Sequence, residues 1–234
     1  MGKESSILPG GRVDAKMETK NDMGKNRQYI FCLMGKSASG KDTVYHKLRQ
    51  IFDGEKGPFL KAIVPYTTRP VRNGEQEGDN YYFETDKQYQ EAVSKGQIIE
   101  SREYHTIQGI WYYYTKDDGQ IDLTKNSYLM IGTLESFRSF QRYYGQEAVV
   151  PFYLELDAGE RLTRALEREK KQKIPQYAEF CRRFLADEED FSEEKLKETG
   201  IRIRYDSANS TACAERIAKE ICSVMHRECS SLSQ

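Results

Sequence analysis

Tyr29-Ile-Phe-Cys-Leu-Met34 runs without a break into Gly35-Lys36-Ser37-Ala38-Ser39-Gly40-Lys41-Asp42-Thr43. The first six residues are continuously apolar and rich in strand formers. Continuous apolarity, rather than alternation, marks a strand covered on both faces, as in a parallel sheet. Beyond the loop, Asp42 to Phe52 places Val44, Leu48, Ile51 and Phe52 at helical spacing. Between strand and helix, the G-x-x-x-x-G-K spacing lets successive backbone N–H groups turn inward as an anion nest. The helix N-terminus adds positive potential there, and Lys41 brings a point charge to the outer phosphate oxygens. Residues Gly35 to Thr43 are therefore the candidate nucleotide-phosphate loop. A ligand-free turn would explain its glycines and serines, but the strand–loop–helix context is met as well.

Working outward, further strands are expected at Leu60–Val64, Tyr128–Gly132, Val149–Leu156 and Ile201–Tyr205. Helical periodicity falls at Asp86–Lys95 (Tyr89 and Val93 on one face), Leu134–Tyr144, Ala158–Lys171, Gln176–Phe191 and Ala212–Met225. Strands alternating with helices predict an α/β fold around a largely parallel sheet. Between Tyr66 and Tyr114 aromatics and charges alternate, which predicts a smaller antiparallel insertion. Residues 1–27 are polar and aperiodic and are expected to be a disordered tail, as are the last residues, 227–234.

The 234 residues are 38% hydrophobic and 31% charged, with a net charge of −1, so no global field draws the chain to nucleic acid or an anionic membrane. No apolar run reaches a membrane span, and the N-terminus lacks the apolar core of a signal peptide. Five cysteines and three histidines at these spacings give no zinc-ligand set. The expectation is a cytoplasmic protein, monomeric or homodimeric, with reduced, mostly buried thiols.

A second motif follows the loop: Thr67-Thr68-Arg69-Pro-Val-Arg72-Asn-Gly74-Glu75-Gln-Glu-Gly78-Asp-Asn-Tyr81-Tyr-Phe83. Two arginines three apart and a tyrosine hydroxyl suit a second phosphate, held by bidentate guanidinium contacts. A charged surface hairpin would explain Gly74 and Gly78 but not the hydroxyl and arginine choices. This segment, in this order after the loop, resembles the guanylate kinase family, which carries T-T-R-x-x-R-x-G-E-x-x-G-x-x-Y-x-F. The resemblance runs from about Gln28 to Met225.

The resemblance implies a P-loop parallel-sheet core over 28–226, a small mixed α/β GMP-binding insertion at 66–115 and a helical lid near 158–190. It implies ATP and GMP as substrates and Mg2+ with the ATP. Arg69, Arg72, Glu75 and Tyr81 fall in the GMP phosphate site. Glu100 matches the guanine-reading carboxylate, Tyr113 a phosphate contact, and Thr115 a residue near the base. Thr133 falls at a second base contact. Lys41, Arg164, Arg168 and Arg183 are the implied catalytic cations. Arg161 recurs with Arg164 and Arg168 at helical spacing; without the resemblance, a solvated basic face would be the better reading.

Three positions depart from the family. Pro65 stands where the family has a serine that contacts guanine, and proline offers neither hydroxyl nor N–H. Ile131 and Thr133 stand where the strand ends in two aspartates. Asp42 stands where Ser or Thr usually follows the lysine. Two unit charges about 4 Å apart repel by roughly 4 kcal/mol at an effective dielectric of about 20, so a bare Asp42 beside a triphosphate is unfavourable unless a hydrated Mg2+ bridges them. Asp42 is thus the candidate metal contact, through water, in place of the missing strand aspartate. The base departures leave a broader base preference open. A phosphopeptide-binding scaffold of the same fold is disfavoured because Gly40, Lys41 and the lid arginines persist.

Overall fold

The computed structural model describes residues 27–53, 60–72, 74–106, 109–173 and 175–225. The tails expected at both ends lie outside these residues, Arg27 excepted. Along the chain, β1 (Ile30–Gly35) leads into α1 (Lys41–Phe52), then β2 (Leu60–Ala62), β3 (Tyr66–Thr67), β4 (Tyr82–Phe83) and α2 (Asp86–Ser94). Next come the hairpin β5 (Ile98–Thr106) and β6 (Gly109–Lys116), then β7 (Ser127–Ile131), α3 (Leu134–Tyr144) and β8 (Val149–Glu155). The last elements are α4 (Ala158–Lys170), α5 (Tyr177–Asp190), α6 (Glu193–Glu198), β9 (Arg204–Asp206) and α7 (Ser210–Val224).

The main sheet is parallel, in the order β2-β7-β1-β8-β9, with β1 at its centre between β7 and β8. Every residue of β1 is buried. Phe31 and Leu33 pack with Val44, Leu48, Ile217 and Ile221 of α1 and α7; Ile30, Cys32 and Met34 pack on the opposite face with Phe137 and Phe140 of α3 and with Phe191 and Leu196. Helices on both faces explain why the strand reads as unbroken apolarity.

A second sheet has the order β4-β3-β6-β5. It is mixed, not purely antiparallel as expected: β3 runs parallel to β4 and antiparallel to β6. Tyr66, Tyr89 and Tyr114 form its small core. Helix α2 buries Tyr89 and Ala92, while Val93 is exposed, so the expected Tyr89/Val93 face is corrected to Tyr89/Ala92.

Helix bounds otherwise fall within two residues of expectation. The last strand starts at Arg204 instead of Ile201, because the backbone before it closes α6, where Gly200 N–H donates to Lys197 O and Ile201 N–H to Leu196 O. Helix α6 itself was not expected; Ser192 caps it, accepting from Lys195 N–H. Cys32 and Cys213 are buried free thiols and Cys181 an exposed one, whereas Cys222 is disulfide-bonded, which corrects the expectation of reduced thiols at that position.

Candidate active site

The loop between β1 and α1 is shaped by three residues with positive φ. Gly35 is at φ 155°, where an added Cβ would lie 2.6 Å from Leu154 O. Gly40, at φ 84°, begins α1, and Ala38 takes the left-handed conformation at φ 62° without being glycine. Such a residue is held against an intrinsic cost of order 1 kcal/mol, a feature that concentrates at ligand clamps. Lys41 Nζ folds back to donate to Lys36 O at 3.1 Å. Burial lowers the Lys41 pKa; Asp42 and Asp187 raise it in opposition, and Arg161 and Arg168 lower it further. The loop lysine thus stands in a field of both signs.

Helices α4 and α5 close over the loop. Asp187 Oδ2 accepts from Ser37 N–H at 2.6 Å, and Lys36 Nζ donates to Glu188 Oε2 at 2.6 Å. Arg161 also donates to Glu188, with its guanidinium 4.5 Å from the Phe184 ring centroid; Arg161 is buried, and its Nε and Nη1 have no hydrogen-bond partner. Arg164 reaches the loop, since a Cβ on Gly40 would lie 3.8 Å from its Nη1. Arg164 also pairs with Glu160 and donates to Ala208 O. Arg183 is turned toward Glu179 and Glu169, 3.5 and 4.0 Å away. Of the expected cations, Lys41, Arg164 and Arg168 therefore gather at the loop, while Arg183 is engaged by carboxylates of α4 and α5.

In the connection after β3, Arg69 is 3% exposed and makes a bidentate pair with Glu75, 2.7 Å from Nη1 and 2.5 Å from Nη2. Its Nε donates to Tyr113 Oη at 3.0 Å, and the guanidinium lies 5.0 Å from the Tyr81 ring centroid. Arg69 pulls the Glu75 pKa down. Arg72 is exposed, with its N–H donating to Glu75 Oε2. The β6 alternation separates roles: Tyr112 and Tyr114 face the tyrosine core, and Tyr113 faces Arg69. Glu100, 5% exposed, accepts from Thr115 Oγ1 at 3.0 Å through Oε1. Its other oxygen, Oε2, has no hydrogen-bond partner. Burial raises the Glu100 pKa, with Arg102 opposing.

One cavity of about 750 Å3 reaches from Ser37, Lys41, Asp42 and Asp187 to Tyr81, Glu100, Arg102, Thr115 and Thr133; of the Arg69 cluster, Tyr81 is on its wall, while Arg69, Arg72, Glu75 and Tyr113 lie outside the lining. Pro65 and Ile131 line its wall. Thr133 caps α3, its hydroxyl accepting from Ser136 N–H at 3.2 Å. Arg102, Asp187 and Glu188 were not anticipated. Each is a charged residue in a charged stretch, and only the fold aims it inward.

A family profile described as guanylate kinase matches residues 25–117, the stretch holding both the phosphate loop and the small sheet. Over that stretch the chain resembles guanylate kinases. Similar proteins include guanylate kinases of Synechococcus sp. (strain JA-3-3Ab), 38% identical over 78 residues, and of Nostoc sp. (strain PCC 7120), 27% identical over 158 residues. The match spans 33% of this chain and 34% of the Synechococcus protein, and 61% of this chain and 75% of the Nostoc protein. The fold is shared with guanylate kinase from Anaplasma phagocytophilum at a TM-score of 0.61 and 21% identity, over 88% of this chain and 90% of that one. The family-profile match ends at residue 117, before α3. Among the described residues, no helix is long and apolar enough to cross a membrane.

Proposed function

We propose that the protein is an ATP:GMP phosphotransferase, giving ADP and GDP. The observation that carries this reading is the single cavity with a phosphate loop at one end and a Glu100/Thr115 base pocket at the other, with the Arg69–Tyr81–Tyr113 cluster beside it. Two phosphate sites opening onto one cleft suit a transfer between two nucleotides, not hydrolysis of one. The GMP phosphate oxygen attacks the γ-phosphorus in line, the bond to the β-bridging oxygen breaks, and ADP leaves with that electron pair. No covalent enzyme intermediate is needed.

In this reading the loop amides and Lys41 hold the β- and γ-phosphates of ATP. Arg164 and Arg168 offset charge on the transferring group. Tyr81 and Tyr113, with Arg72, hold the GMP phosphate, and the Arg69–Glu75 pair fixes that cluster. Glu100 accepts from guanine N1–H and the 2-amino group, with Thr115 orienting the carboxylate. Asp42 and Asp187 both lie close enough to Lys41 to raise its pKa. Of the two, Asp187 is taken by the Ser37 amide, and Asp42, which lines the cavity, fits a contact through water to a Mg2+ held chiefly by phosphate oxygens and water. That ion would neutralise the triphosphate and align it.

The boundaries assigned above, a core over 28–226 with an insertion at 66–115 and a lid near 158–190, belong to the same reading, as does a cytoplasmic role in purine nucleotide metabolism. The test is ADP release coupled to a reporter, with Mg2+-ATP and each of GMP, dGMP, IMP, AMP, CMP and UMP. A preference for GMP and dGMP supports the reading. A preference for AMP or a pyrimidine nucleotide refutes it.

A further inference from the structure

Glu100 and Arg102 are two apart on β5, opposite Thr115 and Tyr113 of β6, so both side chains leave the same face of the strand. Arg102 Nε lies 3.3 Å from Glu100 Oε2, yet neither atom makes a hydrogen bond, and both are buried. The two are paired by charge, but the pairing leaves each with hydrogen-bonding capacity at the wall of the cavity. A third group can accept from one and donate to the other.

The rest of the base pocket sharpens the demand. Pro65 has no donor of any kind. Met130 and Ile131 are apolar. Thr133 N–H is taken by Ser136 Oγ at 2.8 Å, and its hydroxyl serves the α3 cap. The charged donor at this end of the cavity is Arg102. Its guanidinium stands in the field of Glu100, Tyr81, Tyr104 and Glu135, all of which favour its charged state.

We propose that Arg102 determines base specificity by donating to the 6-oxo group of the purine while Glu100 accepts from the adjoining N1–H. An acceptor and a donor side by side on one ring edge suit a carboxylate and a guanidinium that leave the same face of β5 and both line the cavity. Guanine adds a third contact, its 2-amino group to Glu100. Adenine offers no oxygen to Arg102 and one exocyclic donor. The inference rests on the GMP kinase reading and adds to it the residue that replaces the donor missing at Pro65.

The deciding substrate is 6-thio-GMP, which keeps N1–H and the 2-amino group but exchanges the oxygen for a weakly accepting sulfur. Wild-type protein is expected to favour GMP over 6-thio-GMP by roughly 10- to 100-fold in kcat/KM, the span of one hydrogen bond to a charged group. In Arg102→Met that ratio should fall toward one, with the loss in GMP turnover carried by KM. Arg102→Lys, which keeps the charge beside Glu100, should retain part of the discrimination. A residue that merely positions Glu100 would depress both substrates equally and leave the ratio intact, overturning the inference. Equal wild-type turnover of GMP and 6-thio-GMP overturns it without any variant. If wild-type protein turns over no GMP at all, the kinase reading itself falls and this inference with it.

Discussion

Asp187 Oδ2 receives the N–H of Ser37 at 2.6 Å, so a carboxylate of α5 occupies an amide of the loop between β1 and α1. Glu188 beside it takes Lys36 Nζ and is itself held by Arg161. A triphosphate cannot share that amide with Asp187. At about 4 Å and an effective dielectric of about 20, two such charges repel by roughly 4 kcal/mol. ATP entry therefore requires α5 to shift away from the loop. Asp187→Asn should tighten ATP binding roughly 10-fold, read by calorimetry without acceptor; a weaker Kd would show that Asp187 assists the nucleotide instead of competing with it.

Arg69 is buried and bonded on three sides by Glu75, Tyr113 and Pro70 O. Glu75→Ala leaves that guanidinium without its carboxylate and should cost about 2 kcal/mol in urea denaturation, discounted for partial exposure. The Glu75 pKa is lowered in the folded protein, chiefly by its hydrogen bonds with Arg69. Its stabilising contribution is thus present above the unfolded carboxylate pKa and is lost as pH falls through the depressed folded value. Stability of Glu75→Gln should accordingly fall less steeply in acid than that of the wild type.

The two motifs were legible in the sequence because backbone geometry dictates them. Gly35 and Gly40 are required by positive φ, and β1 reads as buried because helices cover both its faces. Glu100, Tyr113 and Thr115 lie together because β5 and β6 carry them, and the connection from β3 to β4 brings Arg69 and Glu75 to Tyr113. Arg102 was not legible. It lies in Glu100-Ser-Arg-Glu-Tyr104, where alternation alone does not say which charges face inward. Asp187 and Glu188 belong to the run Asp187-Glu-Glu-Asp190, which reads as a solvated helix face until α5 is docked on the loop. Long-range placement of like-looking charges is what local pattern omits. The parallel pairing of β3 with β4 was hidden for the same reason, since strands of two residues carry no periodicity.

Burial raises the Glu100 pKa above the ordinary carboxylate value. Guanine recognition needs the ionised form, because a protonated carboxyl loses an acceptor. KM for GMP should therefore rise as pH falls toward that raised pKa, at a pH where an ordinary glutamate is still ionised, while KM for ATP stays flatter. Arg102→Met removes the charge opposing this shift, so the rise should begin at higher pH. Initial rates across pH with each substrate varied in turn would check both statements.

The arginines of α4 and α5 should divide by position. Arg164 lies against the loop at Gly40, and Arg168 is near enough to Lys41 to lower its pKa. Replacing Arg168 by Met should reduce kcat by roughly 1,000-fold with little change in thermal stability, as for an arginine that offsets charge on a transferring phosphoryl group. Arg183→Met should cost less, since Arg183 is turned to Glu179 and Glu169. Equal losses in kcat would mean that α5 rotates Arg183 into the cleft during turnover.

Asp42 and Asp187 flank the same lysine, yet their substitutions should act in opposite senses. Asp187 takes a loop amide that a phosphate would use, so losing its charge favours ATP. Asp42 lies in the first turn of α1 and lines the cavity, in a place to receive a metal-bound water. Without a bridging cation its charge opposes a triphosphate; with one, it helps hold the ion. Asp42→Asn should consequently raise the Mg2+ concentration needed for half-maximal rate by roughly 10-fold while leaving binding of metal-free ATP equal or tighter. A Mg2+ requirement unchanged in Asp42→Asn would remove Asp42 from the metal site and leave Ile131, at the end of β7, as an uncompensated loss.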